Sequence, residues 1–520
     1  MDPADVTDRL DTLTSWHSDW AGLRVGVLGL GKTGFSVADT LAELGARVLV
    51  VAQRAAESQI QLVDVIGASL VLDERLDGPP EALVELDPEV LVVSPGFHPD
   101  HPVLAWAESR GVAIWGDVEL AWRLRDKVGT PAEWIAITGT NGKTTTTQLT
   151  ATMLVEGGLR AAPCGNIGIP ILDAIRDPQG FDVLVVELSS YQLHSTSSMS
   201  PYASVCLNVA EDHLDWHGSM QAYVEAKARV YTNTRVACVY NRSDARTLAM
   251  VENAEVVEGC RAIGFGLGVP GLSDFGVVDG ILCDRAFTDD RRISALEITT
   301  VADLAAHGLA APHMVANVLA AAALARSFGV SIEAVRRALF RFELDHHRIE
   351  TVATANGVQW VNDSKATNAH AADASLGAFE SVVWIAGGLL KGVDVGPLVA
   401  ARSGRLRAAV LIGADRTELR LAFQRHAPGV PVFEVSGTET EDDTGIDGST
   451  RVEVGSGAGD GTSAESVMSA AVRLAASVAE PGDVVLLAPA GASMDQFVDY
   501  NDRGAQFARA VNDYLGGERS

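Results

Sequence analysis

Residues 133–149 read EWIAITGTNGKTTTTQL, and the expected fold class follows from this pattern. The apolar run 134–137 predicts a buried strand, the Gly/Asn turn after it predicts a phosphate loop, and the threonines after Lys143 begin a helix. Gly139 and Gly142 let the backbone approach an anion, the amides at the helix start point at that anion, and Lys143 adds a positive charge.

The match to the phosphate-loop pattern G-x-x-x-x-G-K-[ST] is incomplete, because Ile137 stands where the first glycine belongs. An ordinary Gly/Asn turn before a helix is therefore an alternative. The preceding strand and the G-K-T core favour a nucleotide site for ATP, in which the Thr144 hydroxyl reaches a nucleotide-bound magnesium ion.

Length and charge limit the functional classes. A chain of 520 residues is too long for one core and predicts about three domains. The 40 Lys and Arg against 68 Asp and Glu give a formal charge of −28, which disfavours nonspecific binding to nucleic acid or to anionic membranes. Anionic substrates must then be bound by local basic groups.

The cysteine pattern indicates the compartment. Five cysteines, Cys164, Cys206, Cys238, Cys260 and Cys283, are scattered without C-x-x-C spacing, as in a reducing compartment. The acidic N-terminus has no apolar stretch, and no run of 18 apolar residues follows. We therefore predict a cytoplasmic protein with no membrane partner, and we expect it to act as a monomer.

The N-terminal part begins with a βαβ pattern. Residues 24–30 (RVGVLGL) predict a buried strand that enters G-x-G-x-x-G at 29–34, followed by a helix to about Leu44 and a second strand at 47–52. The acidic residue that would hold an NAD ribose is missing, since residues 52–54 read AQR. The diphosphate of another nucleotide, with Arg54 in reach, is therefore favoured over NAD.

The next predicted strand, at 89–93, ends in the turn Ser94-Pro95-Gly96. Ligands of open α/β sheets collect at the carboxyl ends of strands, so this turn is a candidate contact. A plain Pro-Gly turn without function explains it equally well.

Two further apolar runs, 182–188 and 203–209, predict parallel strands covered on both faces. Glu187 ends the first, and Asp212 and His213 follow the second. A carboxylate and a histidine beside a phosphate loop suit a magnesium site that takes few protein oxygens and several waters. A capping or core histidine is the alternative for His213.

The rest of the chain continues the α/β pattern. Residues 266–310 predict small extra strands, and 312–328, which contain Asn317, predict an Ala-rich helix. A new sheet begins at 357–362, and residues 363–368 are expected to start a helix capped by Asp363 or Ser364.

The fold class is therefore α/β with three domains. These are a Rossmann-like domain at 1–125, a central domain with a parallel sheet of the P-loop ATPase type at 126–344, and a Rossmann-like α/β domain at 345–520. The polar, Gly/Ser-rich residues 437–463 predict a flexible acidic insertion in the third domain.

Six motifs carry a family resemblance: 139–145 (GTNGKTT), 165–168 (GNIG), 187–193 (ELSSYQL), 212–215 (DHLD), 223–227 (YVEAK) and 347–348 (HR). In this order they make the chain resemble the Mur ligases over all three domains. Within that family, 29–34, 189–193, 362–368 (NDSKATN) and 493–497 (SMDQF) are similar to the members that add D-glutamate.

The resemblance implies an amide synthesis in peptidoglycan precursor formation. ATP would phosphorylate the carboxylate of UDP-N-acetylmuramoyl-L-alanine, which binds the first domain, and the amine of D-glutamate would attack the acyl phosphate. Phosphoryl transfer between two anions depends on charge neutralisation and alignment, which suits the basic residues of the motifs. Two magnesium ions are expected.

The resemblance also implies a role for each matched residue. The catalytic set is Lys143, Glu187, His213, Lys227 and Lys365. ATP would be bound by Gly139, Thr140, Asn141, Gly142, Lys143, Thr144, Thr145, Asn317, Arg348 and Asp363. The muramoyl substrate would meet Leu30, Thr33, Asn166, Ser189 and His213. D-Glutamate would meet Thr367, Lys391, Ser493 and Tyr500, and the metal ligands would be Thr144, Glu187, His213 and Lys227.

Lys227 poses an electrostatic problem. Helical spacing puts Tyr223 and Lys227 on one face, and an ammonium close to magnesium ions in a dry site is unfavourable. The resemblance implies that the neutral amine takes up carbon dioxide, giving a carbamate that can bind magnesium. A surface pair of Lys227 with Glu225 or another carboxylate is the alternative.

Two positions depart from the family pattern. Met314 follows His313 where the family commonly has asparagine, which affects one expected nucleotide contact, and Tyr500 stands where phenylalanine is frequent. Two other functions compete with D-glutamate addition: a ligase of the same chemistry that adds a diamino acid, or glutamates to folate, and a nucleotide-binding regulator without synthetic activity.

Overall fold

The structure, a computed structural model, describes residues 9–343, 349–436, 450–453 and 466–517. The chain divides into two compact units, Met1–Val209 with Ser219–Glu343, and Ala210–Gly218 with Leu344–Ser520. The first unit contains two sheets and the second contains one. The three-domain α/β fold class is confirmed, while the boundaries at residues 125 and 344 stay predictions.

The strands are, in chain order, β1 Arg24–Leu28, β2 Arg47–Ala52, β3 Ser69–Leu72, β4 Val90–Val93, β5 Ala113–Gly116, β6 Glu133–Thr138, β7 Ala161–Gly165, β8 Val183–Glu187, β9 Ala203–Cys206, β10 Ala237–Asn241, β11 Arg261–Phe265, β12 Asp274–Val278, β13 Ile281–Asp284, β14 Leu296–Thr300, β15 Glu350–Ala355, β16 Val358–Asn362, β17 Val382–Gly387, β18 Leu406–Ile412, β19 Val432–Ser436, β20 Thr450–Glu453 and β21 Val484–Ala490.

The α-helices are α1 Lys32–Glu43, α2 Glu57–Val65, α3 Glu81–Leu86, α4 Pro102–Ser109, α5 Asp117–Arg123, α6 Lys143–Glu156, α7 Ile171–Ile175, α8 Ser190–His194, α9 Leu214–His217, α10 Met220–Ala228, α11 Ala245–Glu252, α12 Val301–Ala305, α13 Pro312–Ser327, α14 Ile332–Arg341, α15 Ala369–Gly377, α16 Gly396–Arg402, α17 Arg416–His426, α18 Val467–Val478 and α19 Tyr500–Gly517. Within the described ranges, no helix combines the length and the apolar character that a membrane span requires.

The first sheet has the order β3-β2-β1-β4-β5, and all its strands are parallel. The predicted βαβ opening is confirmed, because α1 starts directly after the glycine turn that ends β1. A Cβ on Gly34 would lie 2.0 Å from the Gly29 carbonyl oxygen, so glycine is required for this close approach of helix and strand.

The second sheet has nine strands in the order β14-β13-β12-β11-β10-β9-β6-β8-β7. The strands from β7 to β12 pair in parallel, and β13 and β14 extend the sheet in antiparallel fashion. The small extra strands predicted at 266–310 are confirmed as β12, β13 and β14. Because β6 lies between β8 and β9, their carboxyl ends bring the phosphate loop beside Glu187 and Asn208.

The third sheet, in the second unit, has the order β15-β16-β21-β17-β18-β19-β20, with β15 as its antiparallel strand. The predicted helix start at 363–368 is wrong. Residues 363–367 form a loop, and α15 begins at Ala369 with the Asn368 side chain accepting a hydrogen bond from the Ala371 amide at 2.9 Å. Neither Asp363 nor Ser364 caps it, because both side chains are engaged elsewhere.

The predicted insertion at 437–463 contains the edge strand β20, which pairs in parallel with β19. Its other residues, 437–449 and 454–463, lie outside the described residues, so their predicted flexibility stays a prediction.

Candidate nucleotide and substrate site

The phosphate loop follows β6 and needs glycine at two positions. Gly139 has φ +155° and Gly142 has φ +84°. A Cβ on Gly139 would lie 3.0 Å from the Leu207 Cβ, and one on Gly142 would lie 2.4 Å from the Asn317 Oδ1. The second distance also shows that α13 places Asn317, a predicted nucleotide contact, against the loop.

Asn208 at the end of the neighbouring strand holds the loop by three hydrogen bonds. Its carbonyl accepts from the Thr140 amide at 3.0 Å, its Oδ1 accepts from the Asn141 amide at 2.9 Å, and its Nδ2 donates to the Asn141 carbonyl at 3.0 Å. The sequence places Asn208 among the polar residues that end an apolar strand run and point toward a site, but it does not indicate that Asn208 holds the phosphate loop.

Two lysines converge on one carbonyl of the loop. Lys143 Nζ donates to the carbonyl oxygens of Gly139 and Thr140, each at 2.9 Å. Lys227 Nζ donates to the same Gly139 oxygen, also at 2.9 Å, and lies 3.5 Å from the Thr138 Oγ1. Two positive charges therefore meet at the point where the sequence predicts an anion.

The structure confirms that Tyr223 and Lys227 share a face of α10. Both are buried, Lys227 is 2% exposed, and its Nζ lies 4.7 Å from the centroid of the Tyr223 ring. Glu225, the alternative partner, is exposed, and its carboxylate accepts a hydrogen bond from the side-chain Nε2 of Gln221 at 2.7 Å. Lys227 thus belongs to the loop side of the helix.

The threonines after Lys143 lie in the first turns of α6. Thr144 and Thr145 are both buried. The Thr145 Oγ1 has no hydrogen-bond partner among the described residues. The Oγ1 atoms of Thr146 and Thr147 are buried in the same way, so the missing partner does not by itself mark Thr145 as a ligand contact.

Glu187 ends β8 next to the loop strand and is 2% exposed. Its Oε1 accepts from the Asn166 Nδ2 at 2.9 Å, and its main-chain carbonyl accepts from the Asn166 amide at 2.9 Å. Its Oε2 is buried without a partner in the described part of the chain. An unpaired carboxylate oxygen there fits a cation.

The described residues contain no cluster of three or more His, Cys, Asp or Glu side chains arranged for a metal ion. Magnesium is bound by few protein oxygens together with waters and phosphate oxygens. The donor set of Glu187 and a threonine hydroxyl therefore fits magnesium and does not fit a tetrahedral metal such as zinc.

Four of the five predicted muramoyl contacts lie beside two sheets of the first unit, and the fifth, His213, belongs to the second unit. Asn166 and Ser189 flank Glu187, and Ser189 is the N-cap residue of α8. Leu30 and Thr33 lie at the glycine turn of the first sheet, where the Leu30 carbonyl accepts from the Gln59 Nε2 at 2.6 Å.

Ser94 at the end of β4 is a further candidate that the sequence left undecided. A Cβ on Gly29 would lie 2.7 Å from its Oγ, so the Ser94 turn lies against the glycine turn. The Ser94 Oγ is buried and has no partner among the residues described. The Ser-Pro-Gly turn therefore offers a polar group at the ligand edge of the sheet.

A cavity of about 740 Å³ opens between α1 and α7. Lys32 and Phe35 contribute to its lining, but none of the predicted site residues does. Its Arg176 is neutralised by Asp39 at 2.6 Å and Glu43 at 2.9 Å. We therefore do not assign the ligand site to this cavity.

In the second unit, three polar side chains lie close to the Asp212 carboxylate. Lys391 Nζ lies 3.0 Å from its Oδ1, and its Oδ2 lies 3.4 Å from the Asn368 Nδ2 and 3.5 Å from the His213 Nε2. His213 has φ +55° and precedes α9. The predicted D-glutamate lysine and the predicted metal-binding histidine thus share one carboxylate, which the sequence did not indicate.

The loops that carry the other predicted D-glutamate residues are hydrogen bonded to one another. Ala366, beside Thr367, accepts from the Ala490 amide at 3.0 Å, and the main chains of Leu389 and Ala492, near Lys391 and Ser493, exchange two hydrogen bonds of 2.9 Å. Lys365 Nζ lies 5.2 Å from the centroid of the Tyr500 ring.

Arg503 in α19 joins these loops and is fully buried. It donates to the Ser364 Oγ at 3.0 Å, to the Ser364 carbonyl at 2.8 Å and to the Gly491 carbonyl at 3.0 Å. Burial lowers the pKa of Arg503 to about 10, so it stays protonated at neutral pH. Nothing in its local sequence marks it, because its partners are more than ten residues away.

Asp363, a predicted nucleotide contact, is buried at the end of β16. Its Oδ1 lies 3.4 Å from the Ile349 amide, and its Oδ2 accepts from the Ser375 hydroxyl. Arg348, the other predicted contact here, lies outside the described residues.

Three family models match the chain. The Mur ligase MurD-like N-terminal domain matches residues 23–116, the Mur ligase middle domain matches 137–325, and the Mur ligase glutamate ligase domain matches 347–491.

Individual proteins agree with these models. The chain is 63% identical to the UDP-N-acetylmuramoylalanine--D-glutamate ligase of Leifsonia xyli, over 98% of this chain and 96% of that protein. It is 49% identical to the protein of that name from Streptomyces coelicolor, over 95% and 99%. The crystal structure of the MurF ligase from Thermotoga maritima in complex with ADP is 16% identical, with a TM-score of 0.52 over 98% of this chain and 100% of that one, which shows the fold. The chain belongs to the Mur ligase family.

Proposed function

We propose that this protein is an ATP-dependent ligase that joins D-glutamate to UDP-N-acetylmuramoyl-L-alanine and releases ADP and phosphate. The names of the two full-length relatives supply the identity of the substrates. The observation that carries the phosphoryl-transfer chemistry is the position of Lys143 in the phosphate loop, where its Nζ donates to the Gly139 and Thr140 carbonyls.

In the first step, a carboxylate oxygen of the muramoyl-alanine attacks the γ-phosphorus of ATP, and the bond to the β-phosphate oxygen breaks. Both reactants are anions, so the step depends on charge neutralisation and alignment. Lys143 supplies positive charge at the loop, whose amides face the phosphates. Lys365 is proposed to face the same phosphates.

In the second step, the amine of D-glutamate attacks the acyl phosphate, forms the amide bond and expels phosphate while losing a proton. Lys391, Thr367, Ser493 and Tyr500 are proposed to bind the two D-glutamate carboxylates. Because Lys391 is paired with Asp212, a substrate carboxylate must share or replace that partner.

Nucleotide and muramoyl roles follow the same division. Asn317, Arg348 and Asp363 are proposed to bind the adenine nucleotide, together with the loop residues 139–145. Asn166, Ser189 and His213 are proposed to orient the muramoyl group, with Leu30 and Thr33 at the uridine end.

Two magnesium ions are proposed, and when bound they neutralise charge that develops on the transferred phosphoryl group. The unpaired Oε2 of Glu187 and the hydroxyl of Thr144 would hold one ion. His213 and a modified Lys227 are the proposed protein ligands of the other.

The geometry supports carbamylation of Lys227. Its Nζ and that of Lys143 both lie 2.9 Å from the Gly139 oxygen, so the nitrogens are separated by no more than twice that distance. Two ammonium charges at such a separation cost about 3 kcal/mol at an effective dielectric constant of about 20. This repulsion favours the neutral Lys227 amine, which attacks carbon dioxide, forms an N–C bond, loses a proton and becomes an anion.

We also propose that the protein acts as a monomer in the cytoplasm. All five cysteines are free thiols, and the sulfurs of Cys238 and Cys260 remain thiols at 3.7 Å from each other. A reducing compartment would keep them in that state.

The test is ADP release in the presence of UDP-N-acetylmuramoyl-L-alanine and one amino acid at a time. We expect release with D-glutamate and background release with L-glutamate, L-lysine or meso-diaminopimelate. Turnover with a diamino acid would favour the other ligase. Tight ATP binding without stimulation by any amino acid would favour the regulator.

A further inference from the structure

Helix α5 carries two buried carboxylates that face the segment after β8. Asp117 is 3% exposed and Glu119 is 1% exposed. The helix begins directly after β5 of the first sheet, and the Gly116 amide donates to the Ser195 carbonyl at 3.3 Å. The two acids therefore connect the first sheet with α8, which carries the proposed substrate contact Ser189 at its N-cap.

Glu119 has a full set of partners. It accepts from the amides of Ser197 and Ser198, each at 2.9 Å, from the Ser198 hydroxyl at 2.7 Å and from the Arg123 Nε at 2.8 Å. Burial alone would raise the pKa of Glu119, but these hydrogen bonds lower it. Glu119 thus holds the main chain at Ser197 and Ser198 in place.

Asp117 differs, because one polar contact connects it to the proposed site. Its Oδ2 accepts from the Gln192 Nε2 at 3.0 Å, and its Oδ1 is buried without a hydrogen-bond partner in the described ranges. Burial raises the pKa of Asp117 to about 6, above which the carboxylate is the major form.

A carboxylate only accepts hydrogen bonds, so Asp117 holds the NH₂ group of the Gln192 side chain, while the Ser189 main-chain N–H, which only donates, holds its Oε1. The NH₂ group of Gln192 faces Asp117, and its Oε1 faces Ser189. There it accepts from the Ser189 amide at 3.1 Å and from the Ser189 hydroxyl at 3.2 Å. The main-chain N–H of Gln192 in turn donates to the Ser189 Oγ at 3.2 Å.

The Ser189 hydroxyl proton is therefore used within the chain. One lone pair of its oxygen accepts from the main-chain N–H of Gln192, and the other lone pair remains for a ligand. Ser189 then presents an acceptor to the substrate, which suits a donor such as an amide N–H group.

We propose that Asp117 is a positioning residue for the muramoyl substrate: it orients the Gln192 amide and thereby makes Ser189 a hydrogen-bond acceptor at the substrate site. This inference rests on the proposed function. A reversed Gln192 amide would turn its NH₂ group toward Ser189, and the hydroxyl would become free to donate to the ligand.

The test is a set of near-isosteric variants assayed for the KM of each substrate. Asp117→Asn can present either an oxygen or an NH₂ group to the Gln192 side chain, so its NH₂ group loses a partner that only accepts, and the Ser189 main-chain N–H alone holds its direction. We expect the KM for UDP-N-acetylmuramoyl-L-alanine to rise by up to about tenfold, the range of one lost hydrogen bond between neutral groups, with the KM for ATP unchanged.

Glu119→Gln is the matched control, since it alters the neighbouring buried acid on the same helix. We expect a lower melting temperature and an unchanged KM for the muramoyl substrate. A purely structural role of Asp117 would give both variants the same pattern, and that result would overturn the inference.

The exchange Asp117→Asn/Gln192→Glu provides the second readout. In this double variant the asparagine NH₂ group can donate to the glutamate, whose other oxygen still accepts from Ser189. We expect the KM for the muramoyl substrate to return to within about threefold of the wild type. Gln192→Glu alone places two buried carboxylates together, so its KM for the muramoyl substrate should rise more than that of Asp117→Asn or of the double variant. If that variant does not fold, the comparison of Asp117→Asn with the double variant still decides the question.

Failure of the inference differs from failure of the proposed function. A wild-type protein without D-glutamate-dependent ADP release would remove the proposed function and this inference with it. An active wild type whose muramoyl KM is unaffected by Asp117→Asn, or whose double variant does not recover, would remove the positioning role alone.

Discussion

The phosphate loop of the first unit and the loop cluster of the second are built in different ways for a similar task. Residues 139–145 present main-chain amides, and Asn208 holds them by three hydrogen bonds. The cluster around Ser364 and Gly491 is held by one buried cation, Arg503. Both lie after parallel strands, where ligands of α/β sheets bind.

The difference explains what a motif can reveal. An anion site made of consecutive amides needs glycines and a lysine at fixed spacing, so it leaves a visible pattern in the sequence. A site held by a buried side chain joins segments that are distant in sequence, so it leaves none. In the first unit the lysines lie at the phosphate loop itself, whereas in the second unit the buried Arg503 holds the neighbouring loops together.

The largest effect that we expect comes from the loop itself. Lys143→Ala should reduce turnover by at least about a thousandfold, because it removes the charge next to the transferred phosphate. Binding of the muramoyl substrate, measured by calorimetry, should stay within several-fold of the wild type. Near-normal phosphate release by this variant would show that the loop does not work through its lysine.

Lys227→Ala should be the next most severe change, with a loss of about a hundredfold or more, because it removes the proposed metal-binding anion. Acetate or propionate should restore part of the rate by supplying a carboxylate. Glu225→Gln on the exposed side of α10 is the control and should retain full activity. Normal turnover of the alanine variant without added carboxylate would rule out the carbamate.

Arg503→Met tests the supporting role of the cation in the second unit. It leaves three carbonyls and a hydroxyl without their donor, so the free energy of unfolding should fall by roughly 3 kcal/mol. The KM for D-glutamate should rise most. The KM for ATP should rise less, because Asp363 and Lys365 flank Ser364 whereas the phosphate loop lies in the first unit. Arg509→Met, an exposed change in the same helix, should alter none of these quantities. An equal rise in both KM values would show that Arg503 does not act mainly on the D-glutamate loops.

The smallest effect concerns buried charge in the first unit. The pKa of Asp117 is raised from 3.8 to about 6 by burial, so the folded state holds its proton more tightly than the unfolded chain. The stability contributed by the protonated group is complete below pH about 4 and is lost as the pH rises through about 6, by up to about 3 kcal/mol.

Asp117→Asn mimics the protonated acid and lacks this titration. Urea unfolding at pH 4.5 and 7.5, chosen as about a unit and a half on either side of the raised pKa, should show the wild type losing stability relative to the variant at the higher pH. A difference that does not change with pH would mean that Asp117 titrates normally.

Much of the fold could be predicted because the signals are local. The glycine turn before α1, the phosphate loop before α6 and the apolar runs of β8 and β9 all depend on neighbouring residues. The helix start at 363–368 was wrong for a tertiary reason: Asp363 and Ser364 can cap a helix, but they bond to Ser375 and Tyr500 instead, which leaves the cap to Asn368.

The sequence by itself determined the three α/β domains, the phosphate loop with Lys143, and the shared helix face of Tyr223 and Lys227, because these features follow from hydrophobic periodicity and glycine geometry over a few residues. Only the tertiary structure decided that Asn208 holds the loop, that Arg503 joins the second cluster and that Asp117 meets Gln192. Those contacts depend on which strands become neighbours in a sheet, and a buried polar side chain takes whichever partner that arrangement provides.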